Sequence, residues 1–282
     1  MRIASFTADG RESYGIVSGG GIIDAKRHLG EEYPSVAALL EAVALDRLFE
    51  IEAAAPDYTL DDVQLLPPVT GRNPVLCVGR NYPEVSGQAG YEAAPYPSIF
   101  QRRNAAQVGH GAPIIKPRES DRFDCEAELA VVIGRGGRRI PEDRALEFIA
   151  GYTILNEASV VDWMNHTSRN VTPGKNFDGS GALGPWMVTA DEIADPQDLT
   201  ITQRLNGEEI QHGSTGEMIY PVARVIAYLS TFTQLIPGDV VATGTPGGIH
   251  ARRQSRTFLE AGDVVEMEIS GIGRLRNEVA EG

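Results

Sequence analysis

The chain has 282 residues, 42% of them hydrophobic and 23% charged, the balance of an ordinary globular protein with room for one or two domains. Lys and Arg number 25 against 39 Asp and Glu, a formal charge of −14; with no basic tract, such a surface repels nucleic acid and anionic lipid, so neither is an expected partner. No apolar run reaches the length of a membrane span, residues 1–20 lack a basic start followed by an apolar stretch, and Cys77 and Cys125 have no metal-type spacing, so a cytoplasmic protein with reduced thiols is expected.

Residues 1–67 read as a small N-terminal α/β domain. Strand-like pieces at 2–6, 14–17 and 22–24 are separated by glycines. A helix opened by Ser35 should follow, with Val36, Leu39, Leu40 and Val43 on one face. Leu66-Pro67-Pro68 and Gly71-Arg72-Asn73-Pro74 then punctuate the chain and mark the boundary with a second domain, residues 72–282. There, strands are predicted at 75–78, 129–133, 199–205, 240–243 and 264–269. Two further helices are expected, one from Pro141 to Gly151 and one from Pro221 with Val222, Val225, Ile226 and Leu229 on one face. Few helices and many short strands argue for a β-rich α+β fold and against a doubly wound sheet. Gly19-Gly20-Gly21 and the glycines of 134–137 lack the strand-to-helix setting of a phosphate loop and read as turns.

The richest stretch is Asp124-Cys125-Glu126-Ala127-Glu128, running into Leu129-Ala130-Val131-Val132-Ile133. In a strand, Glu126 and Glu128 point the same way as Ala130 and Val132, while Ala127, Leu129, Val131 and Ile133 line the other face. Both faces are apolar, as in a strand buried on both sides. Two carboxylates at its mouth repel each other and lose hydration; a shared proton or a bound cation would relieve this, and hard oxygen ligands at i and i+2 suit Mg²⁺, Mn²⁺ or Ca²⁺. The chain holds its own control, because Glu266 and Glu268 alternate with Val265, Met267 and Ile269 as the wet side of a half-buried strand.

Beyond this pair stand Gly151-Tyr152-Thr153-Ile154-Leu155-Asn156-Glu157-Ala158-Ser159, Pro173-Gly174-Lys175-Asn176-Phe177-Asp178, Gly184-Pro185, Asn206-Gly207-Glu208 with Gln211, and Pro237-Gly238-Asp239 leading to Thr243-Gly244-Thr245-Pro246. In order and spacing these pieces, from about Val75 to Val279, resemble the fumarylacetoacetate hydrolase family. The resemblance implies a mixed β-sandwich or β-roll catalytic domain, a homodimer, and a Mg²⁺ or Mn²⁺ cofactor. It also implies a small 2-oxo or 2,4-diketo acid substrate, with C–C bond hydrolysis as the family default and decarboxylation or enol–keto isomerisation as alternatives. The family's metal carboxylates fall on Glu126, Glu128 and Glu157, the last being Asp in most relatives. Its active-site lysine falls on Lys175, where an ammonium can stabilise a dicarbonyl enolate. Arg102, Gln211 and Thr245 match positions that contact substrate.

The chain departs from the pattern at the lid. Hydrolytic members carry Gly-x-Asn-Tyr-x-x-His-x-x-Glu, whose His–Glu pair activates water. Here Gly79-Arg80-Asn81-Tyr82 is intact, but the His position is Val85 and the Glu position Gln88. Neither valine nor an amide serves as a general base. Val161 also stands where many relatives have Arg. Glu84, His110, His166, His212 and His250 are the candidate replacements, His250 first, and metal-activated water is another. These losses strengthen isomerisation and decarboxylation, which need mainly an electron sink, and leave a degenerate metal- or ligand-binding member as a further reading.

Overall fold

The computed structural model describes residues 1–29, 32–69, 73–83, 94–167, 170–247 and 258–282. The leading strands are β1 (Arg2–Ala8), β2 (Arg11–Ser18), β3 (Gly21–Asp24), β4 (Tyr58–Thr59) and β5 (Gln64–Leu66). They are followed by β6 (Val75–Gly79), β7 (Ser98–Arg102), β8 (Gln107–Val108), β9 (Ile114–Lys116), β10 (Phe123–Asp124), β11 (Ala127–Ile133), β12 (Ile149–Asn156) and β13 (Ser159–Val160). The last six are β14 (Gly181–Thr189), β15 (Thr200–Leu205), β16 (Glu208–Ser214), β17 (Val240–Ala242), β18 (Val264–Ile269) and β19 (Gly273–Glu281). The β-rich α+β class holds.

One large mixed sheet runs β4-β3-β2-β1-β14-β12-β11-β17-β6-β7, with β5 on β1 and β8 on β14. Because β8 starts a few residues after β7 and pairs with β14, the strands between them curl back on themselves as a roll. A second sheet, β16-β15-β18-β19-β9, packs beside it. As the alternation in β11 requires, Leu129, Val131 and Ile133 face a core shared with Ile201, Val265, Met267 and the helix Val222–Phe232. Ala130 and Val132 face a second core with Val75, Cys77, Leu155 and Leu183, which also takes in Ile3, Leu39 and Leu40 from the leading residues. β1 pairs with β14, Ile3 opposite Met187, so the leading residues share both a sheet and a core with the catalytic-type strands.

Most predicted elements form, with shifted ends. Ser35 caps the helix Val36–Glu41 by accepting from the Ala38 N–H at 3.2 Å. That helix stops before Val43, which takes a positive φ of 54° and is 70% exposed instead of joining the apolar face. The helix expected from Pro141 to Gly151 is a 3₁₀ turn, Glu142–Phe148, and Gly151 lies inside β12. Its reason for being glycine is steric: a Cβ there would sit 2.2 Å from the Val188 carbonyl oxygen. In β18, Glu266 and Glu268 are indeed its wetter side and pair with Arg274 of β19. Asn206-Gly207 turns β15 into β16 with positive φ at both residues, the requirement of a tight hairpin.

Candidate active site

β11 and β12 are antiparallel, with Ala127 opposite Asn156. The next pair outward is Glu126 and Glu157, and the Glu157 N–H donates to the Glu126 carbonyl at 2.9 Å. The hairpin therefore sets a third carboxylate beside the two that strand alternation aligns. Oxygens of Glu126, Glu128 and Glu157 lie within 4.8 Å of one another, and all three residues are buried.

Lys175 closes the cluster. It ends the short helix Thr172–Lys175, and its Nζ donates to Glu126 Oε1 at 2.9 Å and Glu157 Oε2 at 2.8 Å. Gly174 makes this seat possible, since a Cβ there would meet Met164 Cγ at 2.4 Å and the Val160 carbonyl at 2.5 Å. Burial opposes the ammonium, but Glu126 and Glu157 outweigh it and raise the Lys175 pKa, so the side chain is a cation. Burial, then the charges of Glu157 and Glu126, pushes the Glu128 carboxyl well above the usual range. Burial raises Glu157 too, against the pull of Lys175.

Each carboxylate has one oxygen held by a protein donor. Ser159 Oγ and Lys175 both donate to Glu126 Oε1. The Gly244 N–H donates to Glu128 Oε2 at 2.8 Å. Glu157 Oε2 takes Lys175, whereas Glu157 Oε1 is buried with no partner among the described residues. An orphaned buried carboxylate oxygen beside two other carboxylates is suited to face a cation. A hard, all-oxygen donor set fits Mg²⁺ or Mn²⁺, and the longer arm of Glu157 still reaches the cluster.

The other predicted residues divide. Gln211 and Thr245 come together: Gln211 Nε2 donates to Thr245 Oγ1 at 2.8 Å and to the Pro246 carbonyl at 2.7 Å, while its Oε1 accepts from the Ala127 N–H at 3.2 Å. Gln211 is therefore a strut between the start of β11 and the Thr243–Pro246 turn, and Thr245 keeps a hydroxyl proton to give. Arg102 is fully buried, and its Nη1 donates to the Ala158 carbonyl at 2.6 Å. Asn81 pins the turn after β6, donating to the Tyr220 and Thr243 carbonyls at 3.0 and 2.7 Å. Beside it, the Tyr82 hydroxyl is buried without a partner among the described residues, its pKa raised by burial and then by the charges of Glu128 and Glu217.

Sequence reasoning gives no role to Ser159. Ser159 stands two residues past Glu157 in the same motif, and that i, i+2 spacing is the available signal. Glu84, Val85, Gln88 and His250 lie outside the described residues. Of the other histidine candidates, His110 accepts from the Arg276 N–H, His166 packs on Trp163 and His212 lies near Glu209. None of these three touches the carboxylates.

The family model described as fumarylacetoacetate (FAA) hydrolase, C-terminal, matches residues 74–280. The mitochondrial oxaloacetate tautomerase of Rattus norvegicus is 35% identical over 287 residues, covering 99% of this chain and 91% of the relative. Among solved structures, a 5-carboxymethyl-2-hydroxymuconate delta-isomerase from Mycobacterium smegmatis aligns over 100% of this chain and 99% of its own, with TM-score 0.78 and 30% identity. A maleylpyruvate hydrolase from Sphingobium sp. SYK-6, in complex with manganese(II) ion and pyruvate, aligns over 100% of both chains with TM-score 0.82 and 26% identity. Sequence match, roll and carboxylate cluster agree: the chain belongs to the fumarylacetoacetate hydrolase family.

Proposed function

We propose that this protein is a divalent-metal-dependent keto–enol tautomerase of a small 2-oxo acid, with oxaloacetate the first substrate to test, acting as a homodimer. The observation that carries this reading is the pairing of a buried three-carboxylate cluster with a lysine held as a cation. A tautomerase must stabilise an enolate while the enol oxygen gives its proton to solvent and the carbon takes one from solvent, and it does not have to activate water as a nucleophile. Glu126, Glu128 and Glu157 would hold Mg²⁺ or Mn²⁺, which when bound supplies positive charge to a 2-oxo carboxylate. Lys175 keeps its proton at Nζ and faces negative charge as it develops on the enolate oxygen, an interaction stronger in the transition state than in the ground state. The Thr245 hydroxyl, held by Gln211, would orient a substrate oxygen. Val85 and Gln88 at the lid positions support tautomerisation over hydrolysis, and so does the similarity to an oxaloacetate tautomerase.

C–C bond hydrolysis is the second reading, favoured by the likeness to the maleylpyruvate hydrolase. A UV assay separates them. Metal-stripped protein is supplied with Mn²⁺ or Mg²⁺ and given the enol form of oxaloacetate, while NMR follows the products. Faster loss of the enol band with oxaloacetate conserved, abolished in Glu128→Ala, is the expected result. Cleavage of an acylpyruvate without effect on the enol would instead establish a hydrolase, and pyruvate from oxaloacetate a decarboxylase. Silence throughout, with metal bound, would identify a binding protein.

A further inference from the structure

Arg102 is a buried cation with an unusual set of partners. None of its surface meets solvent. Nη1 donates to the Ala158 carbonyl at 2.6 Å, Nη2 reaches Ser180 Oγ at 3.5 Å, and Nε has no partner among the described residues. Both ion pairs of the site belong to Lys175, and Arg102 has none among the described residues. Removing a guanidinium from water is unfavourable; the Arg102 charge acts on Glu157 from beyond ion-pair contact, so the direct contacts it makes instead need an explanation of their own.

The explanation lies in what Ala158 connects. The residue before it, Glu157, places Oε2 on Lys175; the residue after it, Ser159, donates to Glu126 Oε1. One carbonyl thus sits between the groups that orient two of the three carboxylates. The slot for the guanidinium is built into the backbone. Gly181 carries no side chain, and a Cβ there would lie 2.5 Å from Arg102 Nη2 and 2.7 Å from both the Asn156 carbonyl and Gln107 Oε1.

We propose that Arg102 is a positioning residue of the metal centre: it grips the Ala158 carbonyl from behind and fixes Glu157 and Ser159, without itself meeting substrate. This replaces the expectation that Arg102 pairs with a substrate carboxylate, and it rests on the reading of the three glutamates as metal ligands. Partners that orient metal ligands from outside the coordination sphere are commonly worth 10–100-fold in metal affinity.

The test is a Mn²⁺ titration of metal-stripped protein, read from the electron paramagnetic resonance signal of free Mn²⁺. It compares wild type, Arg102→Met, Arg102→Lys and Glu128→Ala, with circular dichroism to confirm folding. Arg102→Met is expected to weaken Mn²⁺ binding about 10–100-fold, whereas Arg102→Lys, which keeps a charged donor for the Ala158 carbonyl, loses no more than about threefold. Arg102→Gln, too short for that contact, substitutes for the Met variant if the latter does not fold. Wild-type Mn²⁺ affinity in Arg102→Met, with a raised KM for the oxo acid at saturating Mn²⁺, would overturn the proposal in favour of direct substrate contact. Equal weakening in the Lys and Met variants would overturn it as well. If wild type and Glu128→Ala both fail to bind Mn²⁺, the metal reading falls and this inference with it; if only Glu128→Ala fails, the metal reading stands and the Arg102 variants decide.

Discussion

At the scale of single residues, Lys175 carries the sharpest expectation. Its ammonium is pinned by Glu126 and Glu157, so it is no base, and the part proposed for it is to meet charge on the reacting oxygen. Lys175→Met should lower kcat by about 10²–10³, the usual effect of losing one preorganised donor, while Mn²⁺ still binds. Loss of Mn²⁺ binding in that variant would make Lys175 a strut instead. A second residue sets a pH dependence far from the site. His110 accepts from the Arg276 N–H at 3.1 Å, and burial, reinforced by the Arg276 charge, lowers its pKa. The unfolded chain then binds the proton more readily than the native one. Stability is accordingly full above the unfolded value of about 6.5 and falls as pH drops below it, until the native His110 also titrates. The melting temperature of wild type should fall more between pH 7.5 and 5 than that of His110→Gln; parallel curves would remove His110 from the acid response. Glu126 and Glu128 are legible in the sequence because an E-x-E at the mouth of a two-faced apolar strand lacks the polar stripe that marks a solvated face. Ser159 is not, because a hydroxyl acquires its role only when distant chain segments bring it to a carboxylate.

At the scale of elements, period tells strand from helix wherever one pattern runs unopposed. β18 alternates cleanly and forms as expected, as does the helix Val222–Phe232, with Val225, Ile226 and Leu229 buried. The stretch from Pro141 misleads for a physical reason. Proline followed by Glu142, Asp143 and Leu146 looks like a helix start, but the chain must enter β12 at Ile149 to pair with β11 and β14, and tertiary pairing overrides local propensity. Glycine at 151 looks like a helix stop in the sequence, yet it is a point where β12 lies tight against β14. Gly151→Ala should therefore cost about 3 kcal/mol through overpacking against the Val188 carbonyl, seen as a lower urea midpoint at unchanged slope. A neutral outcome would mean that β14 can move aside, and that the β12 register is held by its other pairs.

At the scale of the whole molecule, the roll exists because β8 returns to β14, a contact that no local pattern announces. Its consequence is that residues as far apart as Arg102, Glu126, Glu157, Lys175 and Gly244 converge on one buried point. Such a site concentrates like charge, and three buried carboxylates against Lys175 and the nearby Arg102 still leave it with an excess of acidic groups. The folded chain therefore carries a repulsion that a divalent cation would relieve, while the unfolded chain, with these glutamates apart and hydrated, gains little from the same ion. Binding to the native state alone stabilises by mass action, about 2.7 kcal/mol at a hundredfold excess over Kd. For a chain of this size that is roughly 5–10 °C in melting temperature. Metal-stripped wild type should show this rise with Mn²⁺. Glu128→Ala should not show it, and should melt at or above the metal-free wild type because one buried carboxyl, crowded by Glu157 and Glu126, is gone. A variant that melts well below metal-free wild type would mean that the Gly244 N–H contact with Glu128 outweighs the repulsion, and that the site's charge is already balanced without an ion.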